Sequence, residues 1–142
     1  MVAIEITYTG GLHTEAVHGP SGARLETDAP LDNAGRGEAF SPTDLAAAAL
    51  GSCMVTIMGI VAERHGWDIS ATRVKVEKEM VAEPVRRIGR LAVTINVAGD
   101  HDERARTALE RAAHNCPVHA SLHPETVVDL KLLWAGTLST GS

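Results

Sequence analysis

Residues 2–9 alternate apolar and polar positions, with Val2, Ile4, Ile6 and Tyr8 on one side of an extended chain. That two-residue period predicts a strand with one face to bury. The turn sequence "GPSG" at 19–22 separates a segment at 12–18 from one at 23–27, which extends the strand into a three-stranded meander. "DAPLDNAGRGEAF" then carries no period and is rich in Gly, Asp and Asn, the composition of a loop. It leads into "SPTDLAAAALGSCMVTIMGIVAER", a long helix. Ser41 suits its N-cap, Pro42 its first turn and Asp44 the acid of a capping box, while Gly66 is placed to stop it.

Beyond the helix, residues 73–81 and 88–97 read as a hairpin connected by "EPVRR". Val74, Val76 and Met80 stand opposed to Leu91, Val93, Ile95 and Val97. Residues 102–115 are helical, with Ala105, Leu109 and Ala112 on one stripe. Cys116 before Pro117 opens a further short helix, and "TVVDLKLLW" closes the pattern with Val128, Leu130, Leu132 and Trp134 alternating. The order of strands, long helix, strands, helices and strand is that of an α+β fold rather than α/β. One domain over 1–142, with 135–142 as a frayed tail, is the expectation.

The stretch from Leu45 to Ala62 is 18 residues without a charge, the lower limit for a membrane span. Five are Ala and two are Gly, with Ser52 and Thr56 besides, so the stretch is poor in the large side chains that favour lipid. No membrane partner is expected; a helix buried in protein fits better. So uniformly apolar a helix needs cover on all sides, and a chain of 142 residues has few elements to provide it. A second subunit is the economical solution.

Charge narrows the partners further. Thirteen basic against 18 acidic residues, a net charge of -5 and no basic cluster give no electrostatic reason to bind phosphate backbones. One Phe, one Tyr and two Trp offer little for bases to stack on, so nucleic acid is disfavoured and not expected as a partner. The opening "MVAIEITYTGG" carries Glu5 where a signal peptide would be basic and continuously apolar. Together with only two cysteines, this points to a reducing cytoplasm, where a cysteine pair is more often catalytic than structural.

Those cysteines are Cys53, inside the apolar helix, and Cys116, in "HNCPVHASL" 63 residues on. Apolar surroundings raise a thiol's pKa and helix starts or cations lower it. Cys53 should therefore be sluggish unless a cation reaches it, and Cys116, at a helix start, the more acidic. His114, His119 and His123 surround Cys116, and His119 with His123 have the i, i+4 spacing that can chelate zinc. Pro124 ends the helix near His123, so a structural or solvent-facing role is the plainer reading of the pair, and no metal or cofactor is expected.

"FSPTDLAAAALGSCM" followed by "NCPVHASL" resembles the OsmC and Ohr family of osmotically inducible and organic-hydroperoxide-resistance proteins, over nearly the whole chain. The resemblance implies an intertwined homodimer, with two long central helices packed between antiparallel sheets. It also implies peroxide reduction by a cysteine pair, Cys53 matching the peroxidatic and Cys116 the resolving cysteine. A dithiol reductant, such as a lipoylated protein, is implied as partner. The family's assisting Arg follows a glycine pair near the N-terminus and its Glu lies ten residues before the peroxidatic cysteine. Those positions fall on Leu12 and Thr43 here, with Asp44 next door. Arg36, or the pair Arg86 and Arg87, are candidate substitutes for the cation, and Asp44 for the group that orients it.

Two main expectations follow. The first is a thiol-dependent peroxidase acting on organic hydroperoxides through Cys53 and Cys116, assisted by Arg36 and Asp44, with Leu12, Phe40 and Met54 walling an apolar pocket. The alternative is a noncatalytic small-ligand-binding protein on the same scaffold, which Leu12 and Thr43 favour. Metal binding through Cys116 and the neighbouring histidines is a third possibility, open to elemental analysis of the purified protein.

Overall fold

The computed structural model describes residues 1–135; the frayed tail expected at 135–142 lies, apart from its first residue, outside the described residues. The chain forms two compact units, Met1–Ala46 and the chain from Ala47 onward. Each has its own three-stranded sheet.

In the first unit, β1 (Ile4–Gly10), β2 (His13–His18) and β3 (Arg24–Asp28) make the expected antiparallel meander, in the order β1-β2-β3. Tight turns set it. Gly10 and Gly11 both take positive φ, and Leu12 joins them at φ 61, a conformation few side chains adopt. Thr14 lies opposite Thr27, and Glu15 opposite Glu26. Because side chains alternate across a strand, this register sorts the sheet into a polar face and an apolar one. Glu5, Thr7, His13, Glu15, Glu26 and Asp28 share the first; Ile4, Ile6, Tyr8 and Leu25 share the second. A single turn of 3₁₀ helix at Leu31–Asn33 interrupts the connecting loop, a feature its aperiodic sequence does not announce.

The long helix α1 spans Pro42–His65. Its start is the expected capping box: the Asp44 amide donates to Ser41 Oγ and the Ser41 amide donates to Asp44 Oδ2, both at 3.0 Å. At its end Gly66 is left-handed at φ 71. The Trp67 amide reaches back to the Ala62 carbonyl and the Gly66 amide to Glu63, a Schellman stop that favours glycine at that position.

In the second unit β4 (Arg73–Val81) pairs antiparallel with β5 (Arg87–Val97), and β6 (Val127–Trp134) runs parallel to β5. Val74 faces Ile95 and Val76 faces Val93, as the alternation predicts. Helix α2 (Glu103–His114) begins at Asp102, whose carboxylate accepts from the Ala105 amide at 2.8 Å, and buries Ala105, Leu109, Ala112 and Ala113. Helix α3 (Pro117–Ser121) follows Cys116.

The core includes Leu50, Met54, Met58 and Ala62 from α1, Leu91, Val93 and Ile95 from β5, and Leu109 and Cys116. Gly51 lets the helix approach the sheet closely: a Cβ there would lie 2.7 Å from Val76 Cγ2 and 3.0 Å from Val74 Cγ1. Only one side of α1 is buried; Ala48, Ala49, Ser52, Thr56 and Ile60 are exposed. The helix is long and apolar enough to cross a membrane by length and composition. Yet its large buried side chains, Leu50, Met54 and Met58, pack in the same core as the β5 residues, the arrangement of a core helix.

Candidate functional site

Three turns into α1, Cys53 sits partly buried against the core, while Cys116 is 2% exposed just before α3; both thiols are free. The fold brings them together. The Cys53 side chain and the backbone amides of Val118 and His119 in the first turn of α3 all act on the Cys116 thiol. These contacts oppose one another. Burial, and then the neighbouring Cys53 thiol, push the Cys116 pKa above its ordinary value, and the two amides pull it back only in part. The expectation that a helix start makes Cys116 the acidic thiol is therefore corrected: desolvation outweighs the two amides.

Each candidate assisting group has local surroundings of its own. Asp44 Oδ2 accepts the Ser41 amide, so that oxygen serves as a cap, and the Oγ of Thr43 lies 3.2 Å from that of Ser41. Arg87 is held by the Glu125 carboxylate at 3.3 Å and donates to the Ile88 carbonyl at 3.2 Å; Arg86 is exposed in the β4–β5 connection. Arg36 lies beside the glycine pair, its Nη2 3.9 Å from where a Gly11 Cβ would stand. It lines a cleft of about 370 Å³ with Gly10, Gly11, His13, Asp28 and Glu38. Of the expected wall residues, Leu12 and Phe40 are exposed in the first unit. Met54 is fully buried in the core of the second.

The histidine pair near Cys116 does not form a chelate here. Helix α3 ends at Ser121, so His119 and His123 do not share a helical face. His123 Nδ1 accepts the Glu125 amide at 3.0 Å.

One constellation has no counterpart in the reading of the sequence. His13 Nδ1 lies 2.6 Å from Asp28 Oδ1 and Nε2 lies 3.1 Å from Glu26 Oε1. Asp28, only 5% exposed, also accepts the Glu38 amide at 3.1 Å. The Asp28 and Glu26 hydrogen bonds raise the His13 pKa, and the His13 bond holds the Asp28 carboxyl below its usual range. The "HTE" spacing puts His13 and Glu15 on one strand face, but only the register with β3 adds Glu26 and Asp28.

An α+β chain that sets one thiol of a long apolar helix against a second thiol at the start of a short one defines a dithiol protein with two small sheets and one long helix. The family model for OsmC-like protein matches residues 35–131, and the chain belongs to that family. A solved structure from Psychrobacter arcticus 273-4, assigned by inference to an osmotic stress induced and detoxification response, is 41% identical. The match has a TM-score of 0.86 and covers 94% of this chain and 96% of that one. The organic hydroperoxide resistance protein OsmC of Legionella pneumophila shares the fold at 20% identity, with TM-score 0.71 and 94% and 96% coverage. So does the organic hydroperoxide resistance protein OhrB of Bacillus subtilis, at 20% identity, TM-score 0.68 and 94% and 98% coverage. No curated protein sequence matches the chain.

Proposed function

We propose that this protein is a cytoplasmic, thiol-dependent peroxidase that reduces organic hydroperoxides through Cys53 and Cys116. The observation that carries the reading is the approach of two free thiols 63 residues apart in sequence, one partly buried and one fully so. In the proposed cycle the Cys53 thiolate attacks the terminal peroxide oxygen, the O–O bond breaks, and the alkoxide leaves and takes a proton as an alcohol. Cys53 becomes a sulfenic acid. The Cys116 thiol then displaces hydroxide from that sulfur, releasing water and forming a 53–116 disulfide, which an external dithiol of the lipoyl type returns to two thiols. The raised Cys116 pKa suits the second role. A resolving thiol kept protonated is a poor competitor for peroxide and is disposed to give up its proton only as the disulfide forms. Arg36 is the proposed cation that stabilises the Cys53 thiolate.

The test is peroxide consumption with several dithiol donors, wild type against Cys53→Ser and Cys116→Ser. After one equivalent of organic hydroperoxide, free-thiol titration should lose both groups together, and peptide mapping should show a 53–116 link within one chain. Cys116→Ser should leave Cys53 to stall as sulfenic acid and advance up the oxidation ladder. Two thiols that survive the peroxide would reject the peroxidase.

A second reading is a noncatalytic small-ligand-binding protein on the same scaffold. Leu12 and Thr43, at the positions of the family's assisting Arg and Glu, favour it, and it becomes the better account if the thiols are inert.

A further inference from the structure

We propose that His13, Glu15 and Glu26 form a binding site for a divalent transition-metal ion of the zinc class on the polar face of the N-terminal sheet. His13 and Glu15 are two residues apart on β2 and so project from the same face, and Glu26 stands opposite Glu15 on β3. One donor atom from each lies within 4.8 Å of the others. His13 Nε2 and Glu26 Oε1 are already 3.1 Å apart, close to the roughly 3.4 Å that separates two donors of a tetrahedral zinc with bonds of about 2.1 Å. Turning the exposed Glu15 side chain would bring in the third.

Two features set this group apart from a chance gathering of surface acids. The first lies behind the imidazole. Nδ1 is engaged by Asp28 at 2.6 Å, and that carboxylate is buried and held in turn by the Glu38 amide. A carboxylate on one ring nitrogen of a ligating histidine is the usual outer support of a metal site, because it fixes the ring and directs the other nitrogen at the ion. The second is the register. Glu15 and Glu26 are directly opposed on neighbouring antiparallel strands, an arrangement of like charges that destabilises a sheet unless something positive lies between them. The His13 proton meets part of that need; a dication would meet it more fully, displacing one proton from Nε2. An imidazole with two carboxylates selects zinc-like ions over calcium or magnesium, whose sites are built of oxygen alone. Three protein ligands also leave coordination positions open to water or a small anion.

The proposal is independent of the cysteine chemistry. It is tested by calorimetric titration of zinc into the Cys53→Ser/Cys116→Ser protein, which removes thiolate ligands. One saturable ion per chain is expected. Glu15→Gln and Glu26→Gln should each weaken binding at least tenfold, and Asp28→Asn, which touches no ion, should weaken it about ten- to a hundredfold, with far-UV circular dichroism unchanged. A measurement that needs no variant at the site is cobalt titration of the same thiol-free protein by NMR. Paramagnetic broadening should centre on residues 13, 15 and 26. Absence of saturable binding below millimolar zinc, binding that the carboxamide variants leave unchanged, or broadening centred elsewhere would each overturn the site.

Discussion

The chemistry of Cys116 is decided by which of two opposing effects is larger. The amides at the start of α3 favour its thiolate, yet burial and the neighbouring Cys53 thiol hold its pKa above the ordinary value. At neutral pH, limiting iodoacetamide should therefore modify the more exposed Cys53 before Cys116, and mass mapping of the alkylated peptides checks the order. If Arg36 is the activating cation, Arg36→Ala should slow the reaction of Cys53 with organic hydroperoxide at least tenfold while leaving the fold intact by far-UV circular dichroism. A rate that does not move would remove Arg36 from the reaction. A second pair sets a pH window for stability. The raised His13 pKa gives stability that is full below its ordinary 6.5 and lost as pH climbs through the folded value. The lowered Asp28 pKa gives stability present above its ordinary 3.8 and lost as pH falls. Thermal midpoints should therefore be highest between these values, and His13→Gln should flatten the alkaline limb that begins above pH 6.5.

At the scale of elements, strand periods and helix signals are local, and so are legible in the chain. Ser41, Asp44 and Gly66 do what their neighbours in sequence require, and the Val74–Ile95 and Val76–Val93 pairs follow from alternation. The site is less legible because its determinants are long-range. The cysteine motifs indicated a pair, but the net pKa of Cys116 depends on how deeply the fold buries it, and the His13 cluster exists only through the β2–β3 register. The 3₁₀ turn at Leu31–Asn33 was hidden for another reason: a single turn is too short to show a period. Gly51 marks the contact that fixes Cys53 near the sheet, two residues along the same helix. Gly51→Ala would push a methyl to within 2.7 Å of Val76, and rigid β-branched side chains can yield only if the helix shifts. A loss of about 1–3 kcal/mol is expected, despite alanine's better helix propensity, measured by denaturant unfolding. Gly59→Ala, where nothing lies within 4 Å, should instead be neutral or stabilising.

At the scale of the whole molecule, the described residues leave large apolar side chains open on a sheet face of the first unit and on the long helix. Ile4, Ile6 and Tyr8 are 60%, 66% and 63% exposed on one face of β1. Leu25 continues that face on β3, and α1 leaves Ile60 exposed together with Ala48, Ala49 and Thr56. Contiguous apolar faces of this kind mark surfaces that another protein covers. A second copy is the cover we expect, because a closed two-fold assembly can bury the same surface on both chains at once. Light scattering at micromolar concentration should then report twice 15.0 kDa. Ile6→Lys places a charge in the middle of the β1 face without touching the core, and its effect separates two origins of the exposed surface. If the face is an interface, the mass should fall towards one chain and the thermal midpoint should drop and become dependent on protein concentration. If the face is simply open to water, both should stay where they are, and a stable wild-type monomer would remove the second subunit from the architecture.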